Sequence, residues 1–258
     1  MIARILAALA LAGMALPATA QERQSFRVDY SVSILGLNIA RSTFSSTIGP
    51  NDFQLKGSLA SSGIAKIFDS TKGTMDVKGA LGDGLQADVY LLNYTSGDKK
   101  KRTEVAFSKG AVTKAENIPV RKINPKRWVP LNDADLTSVT DPISASMVRA
   151  SSLADVCNRT IRVFDGEMRA DLKLSFVGVK PAETKGFSGD AVTCRAQFVP
   201  IGGYKISKSM DFMKNKSKIV MSFAPLGTTG VYAPIHVTAT TEIGTLTIAA
   251  RRFETVSQ

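Results

Sequence analysis

Few of the residues that carry out enzymatic chemistry occur in this 258-residue sequence, which has one histidine, two cysteines and one tryptophan. A zinc site needs three or four ligands, and only His236 can offer an imidazole. Serines are plentiful, but there is no Gly-x-Ser-x-Gly motif, and no glycine-rich loop ends in the Gly-Lys-Ser/Thr of a phosphate-binding loop. The sequence therefore predicts no catalytic residue, no metal ion and no cofactor.

Long apolar runs are also absent after residue 20, where no segment reaches the ~18 residues of a membrane-spanning helix. The first 20 residues differ, because Arg4 precedes an apolar run from Ile5 to Leu16 and the small-x-small pattern Ala18-Thr19-Ala20 follows it. This order is typical of a cleaved signal peptide, and a buried N-terminal helix is the alternative. We therefore expect a signal peptide at residues 1–20, a mature chain at 21–258 without a transmembrane span, and a periplasmic location in a Gram-negative bacterium.

The two cysteines are Cys157 and Cys194. In an exported chain an even number of cysteines favours a disulfide bond, and a metal site or a nucleophilic thiol are the alternatives. A disulfide closing a loop of this size would stabilise the fold by up to ~4 kcal/mol in the chain-entropy treatment.

Acidic residues are outnumbered by basic ones, 22 to 33, which gives a formal net charge of +11. Such an excess favours anionic partners, although an exported protein without a recognisable nucleic-acid motif is not expected to bind nucleic acid. One hypothesis is that a basic surface binds lipopolysaccharide or a cell-wall polymer, and the alternative is a solvated hairpin tip. The basic residues of this hypothesis are Lys99, Lys100, Lys101, Arg102, Lys126 and Arg127.

From Ser25 onward the hydrophobic pattern alternates at period two, as in Phe26, Val28, Tyr30 and Val32. Glycine-bearing turns separate such runs, so the pattern predicts an antiparallel β-roll or half-barrel of about 11–12 strands in one domain, residues 21–258. Two short helices are expected, one near 142–150 after the Asp141-Pro142 start signal and one from Ser207 to Asn215. The long connection before the first of them is of the kind that is functional or crosses the mouth of a fold.

The stretch VFDGEMRADLKLSF, residues 163–176, contains the hairpin-turn dipeptide Asp165-Gly166 followed by alternating apolar and charged residues. It predicts a hairpin with one buried face. The alternative is that Asp165 and Glu167 form the carboxylate pair of an envelope hydrolase, a mechanism that depends on a separation the sequence does not show.

Three stretches carry a family resemblance: DYSVSILGLNIARSTFSSTI near the start, VFDGEMRADLKLSF in the middle, and APLGTTGVYAPIHVTATTEIGTLTI near the end. Together they resemble the bacterial domain of unknown function 3108, over residues 25–252. The resemblance implies an antiparallel β-roll similar to the half-barrels of periplasmic lipid and lipoprotein carriers. That family has no established reaction, so the resemblance implies no catalytic residue.

These observations favour a non-enzymatic protein that binds a hydrophobic or amphipathic envelope component, or an envelope protein, in support of cell-envelope integrity. A curved sheet with an apolar concave face needs a cover, which can be a helix or a ligand. The residues expected to cover the concavity and contact a ligand are Ile143, Met147, Met210, Phe212 and Met213. The alternative is that these side chains plug the core without any ligand. The sequence leaves the ligand and the oligomeric state open.

Overall fold

The computed structural model describes residues 22–63 and 70–256, so the predicted signal peptide lies outside the described residues. The structure is mostly β, with 66% of residues in strands and one α-helix in the described part of the chain. No helix among these residues is long and apolar enough to cross a membrane.

Sixteen strands occur in the described residues, more than the eleven or twelve expected. Three of the additional strands, β8, β9 and β13, have two residues each and are too short to show a period in the sequence. The strands are β1 (Gln24–Ile34), β2 (Leu37–Ile48), β3 (Asp52–Ser61), β4 (Thr71–Leu81), β5 (Leu85–Ser96), β6 (Lys99–Ser108), β7 (Ala111–Ile118), β8 (Trp128–Val129), β9 (Val148–Arg149), β10 (Arg159–Phe164), β11 (Arg169–Thr184), β12 (Phe187–Gly202), β13 (Tyr204–Lys205), β14 (Ile219–Pro225), β15 (Val231–Thr241) and β16 (Gly244–Val256).

Fourteen strands form one antiparallel sheet in the order β10-β11-β12-β14-β15-β16-β1-β2-β3-β4-β5-β6-β7, with β9 paired to β15. Strands β8 and β13 pair separately. Because the edge strands β7 and β10 do not pair with each other within the described ranges, the sheet is not closed into a barrel. The predicted mainly-β antiparallel fold is confirmed.

Tight turns connect neighbouring strands, as the glycine-bearing segments predict. In the β1–β2 turn, Leu35 and Gly36 have φ values of +50° and +81°, which is the backbone conformation of a two-residue hairpin turn. This geometry matches the right-handed twist of the strands, and most sheet neighbours from β1 to β7 are therefore also neighbours in sequence.

One face of the sheet surrounds a main hydrophobic core, and a second core lies on the opposite face of β12, β14 and β15. Adjacent residues show the division, because Ala191 belongs to the main core and Val192 to the second core. The main core takes buried side chains from β1 to β6 and from β10, β12, β14, β15 and β16, so the sheet curls around it. Its buried members include Phe26, Ile48, Phe53, Val77, Val105, Phe164, Leu226 and Phe253.

The helix predicted at residues 207–215 is confirmed as α1 (Lys208–Asn215). The hydroxyl of Ser207 caps it by accepting a hydrogen bond from the Met210 N–H at 3.2 Å. The last turn contains Lys214, whose charge complements the carboxyl end of the helix.

The helix predicted near 142–150 is wrong. Asp141 does cap a turn there, because its Oδ1 accepts hydrogen bonds from the N–H groups of Ile143 and Ser144 at 2.8 and 3.0 Å. The turn is only the short 3-10 helix Ser144–Ser146, after which Met147 becomes extended, with φ −109° and ψ 146°. The chain then pairs with β15 as β9, and these sheet hydrogen bonds replace further helical turns.

The predicted disulfide is confirmed between Cys157 and Cys194, whose Cα atoms are 5.7 Å apart. Both cysteines are buried in the second core. The bond therefore fixes the end of the long β7–β10 connection to the middle of β12.

Candidate ligand-binding cleft

A cleft of about 470 Å³ opens at the end of the curled sheet where the β4–β5 and β6–β7 turns lie. Strand β10 and the β7–β10 connection form its other walls. The floor is apolar and includes members of the main core, so the cleft lies directly above that core. The apolar lining residues are Leu85, Val139, Ala145, Met147, Val148 and Ile161.

The rim of this cleft is basic. One acidic side chain, that of Asp83, also lines it and is exposed. The four cationic lining residues are Lys109, Arg149, Arg159 and Arg162. The cleft is therefore amphipathic, with an apolar floor and a positively charged edge.

The β7–β10 connection forms the cleft because it crosses this end of the sheet. The Val139 N–H donates to the Gly110 carbonyl in the β6–β7 turn at 2.9 Å. The next residue, Thr140, donates its N–H to Arg162 O and accepts from Phe164 N, both at 2.9 Å. These bonds tie the turn at one sheet edge to the strand at the other, and they fix the position of both walls.

The five predicted cover residues do not come together at one site. Met147 is 8% exposed and lines the cleft, and Ile143 packs against the main core beneath it. Met213 packs against the second core, on the other face of the sheet. Met210 and Phe212 are half-buried on α1, the helix that carries Met213. Of the two segments predicted to be helices, only residues 142–150 therefore supply a predicted cover residue, Met147, to the cleft.

The predicted basic residues do not come together at one site, and in the described residues only Lys101 among them forms an ion pair with Glu167. Lys101 Nζ lies 3.5 Å from Glu167 Oε1, and Arg121 Nη2 lies 2.9 Å from Glu167 Oε2. Lys99 and Lys100 are exposed at the start of β6, and Arg102 pairs with Glu104 at 2.7 Å. Lys126 and Arg127 are exposed in the 3-10 turn before β8.

A second groove, of about 580 Å³, runs beside this cluster along β7. The Arg121 guanidinium lies 5.6 Å from the centre of the Trp128 ring, within the range of a cation–π contact. The apolar residues Val120 and Ile123 line the groove and are 83% and 53% exposed. From Pro119 to Leu131 the chain carries four basic residues and no acidic one.

The two carboxylates of the hydrolase alternative both have structural partners. Asp165 Oδ1 accepts hydrogen bonds from the N–H groups of Glu167 and Met168 at 2.8 and 2.7 Å, which shapes the hairpin turn. Glu167 forms the two ion pairs described above. No cluster of three potential metal-ligating side chains occurs within residues 22–63 and 70–256.

Asp141 is a buried carboxyl group that sequence reasoning treated only as a helix cap. Its side chain is fully buried, and burial raises its pKa above the ordinary value, against the smaller opposing effect of its hydrogen-bond donors and of Ser144. Asp141 Oδ2 and the Ser144 hydroxyl have no partner at hydrogen-bond geometry within the described residues. The turn that Asp141 caps carries the cleft-lining residues Ser144 and Ala145, so the cap fixes that wall.

Sequence reasoning missed the basic rim of the cleft. Its four cationic residues come from the β6–β7 turn, β9 and β10, and are separated by up to 53 positions, from Lys109 to Arg162. Arg159 and Arg162 lie three positions apart on β10, but no local spacing relates them to Lys109 or Arg149, so only the fold brings the four together.

Comparison with known proteins identifies the family to which the chain is similar. The family model described as "Protein of unknown function (DUF3108)" matches residues 25–251. The chain belongs to the DUF3108 family. The resemblance found in the sequence is thereby confirmed, and no curated protein matches the sequence of this DUF3108 chain.

Two solved structures resemble this DUF3108 chain. The first is a beta-barrel-like protein of domain of unknown function DUF1849 from Brucella abortus, 6% identical, with a TM-score of 0.53 over 91% of this chain and 99% of that one. The second is a candidate lipoprotein from Parabacteroides distasonis, 7% identical, with a TM-score of 0.31 over 91% of this chain and 96% of that one. At 6% identity the Brucella structure supports the β-rich fold alone.

Proposed function

We propose that this DUF3108 protein is a non-enzymatic binding protein of the cell envelope, which holds a hydrophobic or amphipathic envelope component in the cleft and so supports envelope integrity. The observation that supports the proposal is the apolar floor under a basic rim. Met147 and Val148 are buried residues of this floor, and the half-exposed Ile161 forms part of one wall.

The size of the cleft is consistent with a small amphipathic occupant. Its volume of about 470 Å³ falls within the range of ligand sites, roughly 300–1,000 Å³. Burial of a hydrocarbon segment contributes about 0.8 kcal/mol per methylene, so six methylenes would supply about 5 kcal/mol before any ordering cost. That gives only weak binding by itself, and polar contacts at the rim would have to supply the rest.

The disulfide supports a location outside the reducing cytosol, since such bonds persist in oxidising compartments. Together with the predicted signal peptide at residues 1–20, it supports a periplasmic location.

The proposal is tested by expressing the full chain in a Gram-negative bacterium and recording the native mass spectrum of the purified mature protein before and after organic extraction. We expect a reproducible additional mass that extracts with the organic phase. Ile161→Trp, which fills the half-exposed wall of the cleft, should remove this mass. Ile39→Trp, at a half-buried strand position on β2 outside the cleft, should retain it. A bare mass in every preparation would contradict the proposal.

The second groove, which we call the Trp128 groove, favours a second candidate function, docking of an anionic polymer such as lipopolysaccharide, because exposed apolar residues line it and the exposed basic residues Lys126 and Arg127 directly precede Trp128. Trp128 is the only tryptophan, so its fluorescence reports binding directly. Added lipopolysaccharide should change that fluorescence at low salt, and the change should shrink as salt rises and screens the charges. An unchanged spectrum would exclude this function.

A further inference from the structure

We infer that the rim of the cleft is a phosphate-binding subsite, formed by Arg159, Arg162 and the buried hydroxyl of Ser144, for the headgroup of an amphipathic ligand. The inference rests on the proposed function, because it names the polar half of the molecule held there.

Two guanidinium groups of the rim are held in place by main-chain carbonyls. Arg149 Nη1 donates to Leu81 O at 3.1 Å and to Gly82 O at 2.7 Å. Arg159 Nη1 donates to Arg149 O at 3.0 Å, and its Nη2 donates to Asp155 O. Within the described chain no carboxylate oxygen lies within 4.0 Å of either group. Their positions are therefore fixed while their charges are not neutralised by a carboxylate.

In that arrangement the charged form of the Arg159 guanidinium is disfavoured. Burial lowers the pKa of its guanidinium, and this effect exceeds the opposing attraction of Asp155. Its Nε is buried and has no acceptor among the described residues. A cation that is partly removed from water and forms no direct ion pair gains from a bound anion, which would also accept from the unpaired donor.

The neighbouring groups supply the remaining donors. Ser144 is 1% exposed and lines the cleft, and its hydroxyl lies near enough to the Asp141 carboxyl to oppose the rise in that group's pKa, but it has no partner at hydrogen-bond geometry within residues 22–63 and 70–256. Arg162 is half-buried on β10, and no ion pair or hydrogen bond of its guanidinium occurs in the described part of the structure. A hydroxyl rotates to donate where an acceptor is present, and a guanidinium offers a planar fork to an oxyanion.

A phosphate ester fits this set better than a carboxylate does. Four cationic side chains and one carboxylate line the cleft, so the local charge is strongly positive. Arg159 and Arg162 lie three positions apart on the edge strand β10, so they reach the cleft from the two faces of that strand. A phosphate group has more acceptor oxygens than a carboxylate, arranged tetrahedrally, and can therefore accept from guanidinium groups on both sides of this edge. The apolar floor beneath the rim would take the hydrocarbon part of the same molecule.

Isothermal titration of the mature protein with three probes tests the inference. The probes are dihexanoyl-phosphatidylglycerol, a neutral hexyl-chain glycoside, and inorganic phosphate alone. We expect the phosphatidylglycerol to bind about tenfold or more tightly than the neutral glycoside. Arg162→Gln should remove about ten- to hundredfold of that affinity and leave binding of the glycoside unchanged.

Two matched variants keep the test decisive. Arg41→Gln replaces an exposed arginine on β2 outside the cleft and should leave all three affinities unchanged. Arg159→Gln should act like Arg162→Gln, but it also removes hydrogen bonds to two carbonyls, so Arg162→Gln is the deciding variant if Arg159→Gln lowers the unfolding midpoint.

The failure of the inference and the failure of the proposed function give different results. Equal binding of the phosphatidylglycerol and the glycoside, unaffected by Arg162→Gln, would overturn the phosphate subsite and leave the proposed function intact. Binding of inorganic phosphate that depends on Arg162, without binding of either amphiphile, would retain the subsite and overturn the proposed function. No binding of any probe would overturn both.

Discussion

Removal of the disulfide, as the double variant C157A/C194A, is expected to lower the free energy of unfolding by about 4 kcal/mol. The two cysteines are separated by 37 positions, and the chain-entropy relation for a loop of that length gives about 13 cal/mol/K, or about 4 kcal/mol at 25 °C. For a chain of this size each kcal/mol corresponds to about 2–4 °C, so the midpoint of thermal unfolding should fall by about 8–16 °C.

Urea unfolding followed by far-ultraviolet circular dichroism measures the effect. Because both cysteines are buried, reductant must be added in denaturant and the wild-type chain then refolded. Reduced wild type and the double variant should agree closely, apart from a small cost for the smaller alanine side chains in the second core. Reductant should have no effect on the variant.

A loss of less than about 1 kcal/mol in both reduced wild type and the variant would refute the loop-entropy argument. The slope of the free energy against urea should also rise on reduction, because the unfolded chain then exposes more surface. An unchanged slope would show that the uncrosslinked unfolded chain stays compact, so that the entropy calculation does not apply.

Three further substitutions test the cleft wall, the hairpin turn beside the second groove, and helix α1. Asp141→Asn should stabilise the fold relative to wild type by an amount that grows as the pH rises from 4 to 7, because burial raises the folded-state pKa of Asp141 and the wild type alone then ionises a buried carboxyl. Gly166→Ala should cost about 1–3 kcal/mol, since Gly166 has φ +97° and a Cβ there would lie 2.4 Å from Thr103 Cγ2. Ser207→Ala should cost about 1 kcal/mol through loss of the helix cap. Urea unfolding measures all three.

Each of these substitutions has its own control. For Asp141 the control is to compare the free energy of unfolding of the variant with that of the wild type at each pH, because the other carboxyl groups contribute equally to both. A difference that does not change with pH would contradict a raised pKa of Asp141. For Gly166 the control is Gly178→Ala on β11, where a Cβ meets nothing within 4 Å, and an equal cost at both positions would refute the steric argument. For Ser207, a Ser207→Asp variant should retain the cap and the stability.

The elements that could be predicted are those whose signals are local. Alternation from Phe26 to Val32 predicts β1, and the Asp165-Gly166 dipeptide predicts the β10–β11 turn. Ser207 predicts the start of α1, since an N-cap requires only a few neighbouring residues. The disulfide followed from cysteine number and the expected compartment, without knowledge of the fold.

The incorrect prediction at residues 142–150 has a tertiary cause. Asp141 and Pro142 are a valid start signal, and Asp141 does cap the turn. The segment leaves the helical conformation at Met147 because Val148 and Arg149 pair with β15, and Val231, the partner of Arg149, is 82 positions away in sequence. No local pattern contains that partner, and the same holds for the scattered cations of the cleft.

The position of the cleft follows from the path of the β7–β10 connection. The connection begins on the main core with Val139 and Met147 and ends on the second core with Val156 and Cys157, so it must cross from one face of the sheet to the other. After β9 the crossing segment leaves the sheet, and its buried carbonyls require donors. Arg159 supplies them to Arg149 O and Asp155 O, and Arg149 donates to Leu81 O and Gly82 O at the end of β4, which explains the presence of both arginines without any ligand.

Arg162 is different, because its guanidinium satisfies none of these carbonyls in the described structure. Its main-chain carbonyl is already hydrogen-bonded, since Arg162 O accepts from Thr140 N in the bridge that closes the cleft wall. The fold therefore needs only the main chain at this position, which any residue of suitable strand propensity provides. Arg162→Gln should preserve the unfolding midpoint. If it also abolishes selectivity for the phosphate-bearing amphiphile, the third guanidinium is present for the ligand, whereas loss of stability together with unchanged selectivity would assign all three arginines to the fold.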